Sequence, residues 1–210
     1  MTIRLLGSTS GYTELDAPSV AGNNNLKLPT SNGSDGSILG TDGSGNMSWV
    51  NGRMVQGTAQ ASTSGTSIDF TDIPSWVKRI TVMFDEVSMG SVPGFTSIQL
   101  GTSAGFTTSG YTSDIAAVIN AAATAIFTVT TAFPVVNQNS ATNAFRGHAV
   151  ITKITGNTWV YSSNTFTDGT VRHCMGAGRV SLADTLTQIR IMETGGASFD
   201  AGTINILYEG

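Results

Sequence analysis

Apolar and polar residues alternate along much of this 210-residue chain, and the alternating runs change in length near residue 52. Before that point each run holds two or three apolar side chains, and turn-forming segments such as TSNGSDGS (30–37) separate the runs. Glycine after Asn, Asp or Ser favours tight turns, because it adopts a positive φ without strain. The pattern predicts short strands in residues 1–52 that bury too little apolar surface to be stable alone.

From Arg53 the alternating runs are longer and richer in Val, Ile and Phe. Ile80, Val82 and Phe84, for example, lie at a spacing of two and therefore on one face of a strand. The predicted strands of residues 53–210 are Met54–Gln60, Ser67–Phe70, Val77–Val87, Thr96–Gly101, Phe127–Thr131, Phe145–Ile154, Thr158–Ser162, Thr170–Val180, Gln188–Glu193 and Thr203–Tyr208. Short strands divided by turn signals predict an all-β fold in which residues 53–210 form a jelly-roll-like β-sandwich.

One segment, residues 113–125, fits a short helix as well as a strand. Ser113 is a candidate N-cap, and Ile115, Val118 and Ile119 follow at helical spacing. Neither assignment changes the all-β class.

Composition and charge narrow the range of partners. Charged residues make up 11% of the chain, against roughly 25% in an average soluble domain. The net charge is −4 and Lys or Arg form no run, so we expect neither nucleic acid nor an anionic membrane surface as a partner. Cys174 is the one cysteine and cannot form an intrachain disulfide.

No stretch is apolar enough for a membrane span or a signal peptide, so we expect a protein made in a cytoplasm.

The residues that suggest catalysis are better explained as structural. Gly101-Thr-Ser103-Ala-Gly105 matches the G-x-S-x-G pattern of a nucleophile elbow, but the strand–turn–helix context of that motif is missing. Asp85 and Glu86 are neighbours, which places them on opposite faces of a strand and not across a glycosidic bond. We expect a turn at Ser103 and no enzymatic activity.

The candidate metal ligands are also better explained without a metal. His173 and Cys174 are adjacent on a predicted strand and point to opposite faces, and His148 has no ligand partner at a suitable spacing. Asp35 and Asp42 lie in glycine-rich turns that lack the alternating oxygen ligands of a calcium loop. We therefore expect no metal and no cofactor.

Several stretches resemble bacteriophage fibre proteins. Leu15–Val50 is similar to a segment that recurs in phage tail fibres ahead of a distal domain. Ser67–Ser88, Gly156–Val160 and Phe199–Gly210 resemble the C-terminal domain of such fibres, and together the similar stretches cover a little over a third of the chain. The resemblance implies a virion protein that forms a parallel homotrimer, in which residues 1–52 form an interwoven β-shaft and residues 53–210 form a knob. It also implies contacts with other virion proteins, on the tail, on the capsid or at the end of another fibre, which we expect through Met1–Tyr12.

The shortage of apolar residues in each predicted shaft strand favours an interior that three chains share. The side chains predicted to fill this interior are Leu26, Leu28, Ile38, Leu39 and Trp49.

The favoured function is adhesion to a glycan or protein on a bacterial surface. The loops predicted to carry it are Val87–Phe95, Pro134–Ala144 and Ser162–Thr170. The predicted receptor-binding residues are Asn137, Gln138, Asn139, Trp159 and Tyr161. The two aromatic rings lie two residues apart, where they form either a sugar-stacking platform or part of the core. Two further functions stay open, an architectural head fibre or capsid decoration, and a polysaccharide depolymerase or esterase.

Overall fold

The fold is all-β. In this computed structural model the described residues are 3–15, 18–20, 22–34, 37–50, 54–91, 94–119, 123–137, 140–141, 143–169 and 172–210. These residues form strands and turns, and no helix occurs among them. The chain divides into two compact units, Met1–Gly52 and Arg53–Gly210, at the position where the alternating runs change in length.

The N-terminal unit (Met1–Gly52) contains two antiparallel hairpins. Strands β1 (Ile3–Leu6) and β2 (Tyr12–Leu15) form the first, and β3 (Ile38–Thr41) and β4 (Met47–Val50) form the second. Lys27 makes a parallel bridge to Asn46, which attaches the intervening segment to the second hairpin. Neither hairpin belongs to a larger sheet, so the described residues of this unit have no second sheet layer.

The C-terminal unit (Arg53–Gly210) contains two antiparallel sheets. Its strands are β5 (Met54–Gln56), β6 (Gln60–Ala61), β7 (Ser67–Phe70), β8 (Arg79–Met89), β9 (Phe95–Thr102), β10 (Gly105–Phe106), β11 (Thr112–Ile119), β12 (Ala123–Val129), β13 (Phe133–Asn137), β14 (Phe145–Thr155), β15 (Thr158–Thr167), β16 (Arg172–Ser181), β17 (Gln188–Glu193) and β18 (Phe199–Glu209). The larger sheet has the order β12-β11-β16-β15-β14-β8-β18-β5, and β6 also pairs with β18. The smaller sheet has the order β10-β9-β17-β7, and β13 also pairs with β9.

The core lies between these two sheets. From the larger sheet Ile80, Val82 and Ile151 are buried, and the smaller sheet contributes side chains such as Ile98 and Ile191. Burial of each such side chain stabilises the fold by about 1.5–3 kcal/mol, because its apolar surface leaves water. The all-β prediction is confirmed, and the paired sheets are consistent with a β-sandwich.

The described residues of 113–125, a segment that fits either a helix or a strand, lie in two paired antiparallel strands. Thr112–Ile119 pairs with Ala123–Val129 on one side and with β16 on the other. Ile115 and Ala117 are buried while Ala116 is half-buried, so the side chains alternate at a spacing of two. Pairing with two neighbouring strands therefore decided between the assignments.

Two predicted loops lie partly in strands, so their predicted bounds are wrong. The segment Pro134–Ala144 begins inside β13 and lies in this strand as far as Asn137; Val135 and Val136 are buried. The segment Ser162–Thr170 lies in β15 as far as Thr167. Thr165 is buried there, and its hydroxyl donates to the carbonyl oxygen of Val135 at 2.8 Å. A hydroxyl-rich segment continues the strand because its polar groups find partners inside the sandwich.

Strand β8 has a β-bulge at Asp85 and Glu86. Opposite these two residues the partner strand β14 has one residue, Arg146, between the pairs Phe145–Val87 and Gly147–Phe84. Glu86 has a φ of 52°, and both acidic side chains are exposed. The prediction that they face opposite sides of the strand is wrong, because the bulge interrupts the alternation.

Candidate assembly and recognition surfaces

The described residues of the N-terminal unit expose many large apolar side chains. Leu26 and Leu28 are 68% and 69% exposed. The exposed set comprises Ile3, Leu5, Leu6, Tyr12, Leu15, Val20, Leu26, Leu28, Ile38, Leu39, Trp49 and Val50. It includes all five side chains predicted to fill a shared interior. Extensive exposed apolar surface of this kind marks an interaction site in natural proteins.

Trp49 has a fixed position within this exposed set. Its indole Nε1 donates a hydrogen bond to the carbonyl oxygen of Ser31 at 2.7 Å. Gly33 lies against the ring, because a Cβ built on Gly33 would lie 2.5 Å from the indole Cδ2 atom. The indole is therefore anchored by one polar contact and one close backbone contact, and Trp49 as a whole is 41% exposed.

The turn between β3 and β4 is stabilised by Asp42. Its carboxylate accepts hydrogen bonds from the backbone amides of Ser44 at 2.8 Å and Asn46 at 3.2 Å, and from the Asn46 side chain at 2.8 Å. The Asn46 side-chain hydrogen bond is the main cause that lowers the pKa of Asp42 below its ordinary value. This arrangement is an Asx-turn in which the carboxylate is used by the turn itself. Asp35 lies outside the described residues.

Five connections of the C-terminal unit lie at one end of it, as the strand registers show. Met54, Arg79 and Glu209 lie at one end of the larger sheet. At the opposite end, which we call the loop end, lie the residues that flank five connections: Met89 and Phe95, Ile119 and Ala123, Asn137 and Phe145, Thr167 and Arg172, and Glu193 and Phe199. Each of the three predicted recognition loops has residues at this end.

Hydrogen bonds join several of these connections. The Ala144 backbone amide donates to the Asp168 carboxylate at 2.8 Å, and the Asp168 amide donates to the Ala144 carbonyl at 3.1 Å. The buried carboxylate of Glu193 accepts from the backbone amides of Gly94 and Ala197. The described parts of the loop end are therefore held by internal contacts.

An ion-pair network crosses the outer surface near the loop end. Arg146 donates to the Glu86 carboxylate through Nε at 2.9 Å and through Nη2 at 2.5 Å, and its Nη2 lies 3.3 Å from Asp168. The hydrogen bond to Glu86 is the main cause that raises the pKa of Arg146. Exposed pairs of this kind contribute little to stability, but they neutralise the charge of this arginine.

The predicted receptor-binding residues are not all accessible. Trp159 and Tyr161 are 1% and 3% exposed, so the prediction of a surface platform is wrong and both rings belong to the core. Burial raises the pKa of Tyr161, whose hydroxyl donates to the carbonyl oxygen of Pro134. Asn137 is half-buried and accepts hydrogen bonds from Arg172, whereas Gln138 and Asn139 lie outside the described residues. The period-two pattern of β15 places Trp159 and Tyr161 inside, but it does not reveal the Arg172 contact.

The residues considered for catalysis and metal binding stay apart. Ser103 lies in the tight turn between β9 and β10. His173 is exposed and Cys174 is buried, so the two side chains point to opposite faces. Among the described residues no group of three His, Cys, Asp or Glu side chains is close enough to hold a metal ion.

Comparisons of this chain with protein-family models, with curated protein sequences and with solved structures give no match. Within the described ranges there is also no helix with the length and apolar character that a membrane crossing requires. The candidate surfaces therefore rest on the geometry described above.

Proposed function

We propose that this chain is a fibre protein of a bacteriophage virion that attaches to a bacterial surface without catalysis. In this proposal three parallel copies join through residues 1–52, which also contact other virion proteins. Residues 53–210 then form the knob that contacts a glycan or protein of the host. The observation that carries the proposal is the contrast between the two units. Among the described residues, the C-terminal unit buries most of its large apolar side chains, and the N-terminal unit leaves most of its own exposed.

The exposed apolar side chains of residues 1–52 are expected to be buried by association with other chains. Moving a Leu or Ile side chain from water into a packed interior is favourable by about 1.5–3 kcal/mol. Leu26, Leu28, Ile38, Leu39 and Trp49 in three copies supply an interior that one copy lacks. Two isolated hairpins gain stability in the same way, because association gives them the second layer that they lack.

The loop end of the knob suits receptor contact. It lies at the opposite end of the larger sheet from Met54, with which the described part of the unit begins. The segment 137–144 contains three asparagines, a glutamine, a serine and a threonine and no charge, so it offers many hydrogen-bond donors and acceptors. Three weak sites on one axis combine into strong binding through avidity.

The experiment has two parts. Native mass measurement is expected to give three chains of 21.7 kDa at micromolar concentration, and a monomer would contradict the proposal. The purified trimer is then mixed with host cells before the phage is added, and it is expected to block adsorption. A trimer that leaves adsorption unchanged would favour an architectural fibre or decoration. Loss of capsule or of polysaccharide viscosity would identify a depolymerase.

A further inference from the structure

Arg172 is the most buried arginine among the described residues. It begins β16 at the loop end, its side chain points inward, and it is 8% exposed. Its Nη1 donates to the carbonyl oxygen of Asn137 at 3.1 Å and to the Asn137 side-chain oxygen at 2.5 Å. Both acceptors are neutral, so these hydrogen bonds position the guanidinium without balancing its charge.

The remaining edge of the guanidinium has no partner among the described residues. The Nε atom is fully buried and makes no hydrogen bond, and Nη2 makes no hydrogen bond to a described residue. No described carboxylate lies within 4.0 Å of Arg172. By contrast Arg4, Arg79, Arg146 and Arg190 each have such a carboxylate. Within the described ranges, Arg172 is therefore the buried cation that lacks a counter-charge.

A buried charge without a counter-charge is costly, and an anion that reaches it is bound strongly. Burial weakens the hydration of the guanidinium, and hydrogen bonds between ionised groups are stronger than neutral ones. The Nε and Nη2 edge of an arginine matches the two oxygens of a carboxylate or a phosphate. Because Nη1 is already held by Asn137, this edge is oriented in advance and less entropy is lost on binding.

We propose that Arg172 is an anion-binding residue that takes the carboxylate or phosphate group of an acidic surface glycan. The inference rests on the proposed function, since it names the chemical class of the receptor that the loop end recognises. Nη2 makes the first contact because Nε is fully buried, and Nε follows after a small movement of the neighbouring side chains.

A purely structural role for Arg172 makes a different prediction. Its hydrogen bonds to Asn137 join β16 of the larger sheet to β13 of the smaller sheet. If this were its whole role, substitution would lower stability, but the unaltered protein would bind no anion at this end. The two roles are therefore separated by titrations of the unaltered protein.

The test titrates the 210-residue protein with glucuronate, with inorganic phosphate and with neutral glucose. Saturation-transfer NMR follows the sugars, and phosphorus line broadening follows phosphate. Binding of glucuronate alone indicates a uronate carboxylate, and binding of phosphate alone indicates a phosphorylated glycan. Glucose is expected to bind at least about tenfold more weakly than the preferred anion. If neither anion binds, or if glucose binds equally well, the proposal is wrong.

Substitutions locate the binding. Arg172→Met is expected to weaken anion binding at least about tenfold, and Arg172→Lys is expected to weaken it less because the charge is kept. Arg179→Met is the matched control, because Arg179 lies on the same strand but is exposed and far from the loop end. If Arg172→Met does not fold, Arg172→Lys and the unaltered protein decide the outcome. Anion binding that neither Arg172 variant changes would overturn the proposal.

The two proposals fail in different ways. A monomer in the mass measurement contradicts the trimeric fibre and leaves the anion titration valid. Strong binding to host cells without any anion binding contradicts the role of Arg172 and leaves the adhesion proposal standing.

Discussion

Phe133 stacks on Tyr161, with ring centroids 4.7 Å apart and ring planes inclined by 12°. The two residues belong to different sheets, Phe133 to β13 and Tyr161 to β15. The Tyr111 ring packs edge-on against Phe133, with ring centroids 4.9 Å apart. This aromatic cluster joins the two sheets of the C-terminal unit, because each ring removes a large apolar surface from water.

Truncation of this cluster is expected to destabilise the C-terminal unit strongly. Phe133→Ala should lower the free energy of unfolding by about 3–5 kcal/mol, because it leaves a cavity between the sheets. Tyr161→Phe should lower it by about 1–3 kcal/mol, because the buried carbonyl oxygen of Pro134 loses its donor. Guanidinium denaturation measures both changes. Phe166→Ala is the control, since Phe166 is half-buried on the outer face of β15, and a cost equal to that of Phe133→Ala would contradict the interpretation.

Alkaline pH is expected to weaken the same region. Burial raises the pKa of Tyr111 to about 12 and raises that of Tyr161 as well. A raised folded-state pKa means that the stabilisation is complete below the unfolded-state pKa of about 10, and that it falls as the pH rises above that value. Denaturation measured between about pH 9 and pH 11 should show this decline. Tyr161→Phe should make the decline shallower, and an unchanged slope would argue against this cause.

The paired substitutions Leu26→Ser and Leu28→Ser test the shared interior of the shaft. If three chains bury both side chains, the double variant loses roughly 10 kcal/mol of association free energy per trimer. Native mass measurement at decreasing concentration should then show monomer where the unaltered protein is still a trimer. Lys27→Ser is the matched control, because Lys27 lies between the two leucines. A double variant that stays as trimeric as this control would contradict an apolar interior at these positions.

Acid is expected to loosen the β3–β4 turn. The hydrogen bonds from Asn46 and Ser44 lower the pKa of Asp42 below its ordinary value of 3.8. The stabilisation from Asp42 is therefore complete above about pH 4 and is lost as the pH falls through the lowered pKa. Trp49 lies in β4, the strand that follows this turn, so its fluorescence can report the loss of the turn structure. Asp42→Asn should remove this part of the acid response, whereas Asp114→Asn in the C-terminal unit should leave it intact.

Recognition by the segment after β13 is tested with Gln138→Ala and Asn139→Ala together. Both side chains are polar, and the variant is expected to stay folded, with a change in stability below about 0.5 kcal/mol. Its binding to host cells should nevertheless fall, and three copies on one axis should amplify the loss. Asn157→Ala, in the turn between β14 and β15 at the opposite end, serves as the control. Unchanged binding would contradict recognition by this segment and would favour the connections at 90–94 and 168–171 as the receptor contact.

Local patterns in the sequence determined much of the β-structure. The bounds predicted for β7 (Ser67–Phe70) and β17 (Gln188–Glu193) agree with the structure. Both strands are short apolar runs between turn signals, so the residues adjacent in the sequence are enough to predict where each strand begins and ends. The all-β class follows for the same reason, because an alternation of period two recurs through most of the chain. The scarcity of apolar side chains in each run of residues 1–52 is likewise a property of the sequence itself.

Only the tertiary structure decided where the polar residues of the C-terminal unit lie. Thr165 and Ser163 suggest a loop when read alone, but both are buried because the Val135 carbonyl and the Tyr161 hydroxyl supply their hydrogen bonds. The amide of Asn137 suggests a receptor contact, yet its partner Arg172 lies thirty-five positions away in the chain. A buried polar group is tolerated when its partner is present, and that partner lies on a distant strand that local alternation does not identify.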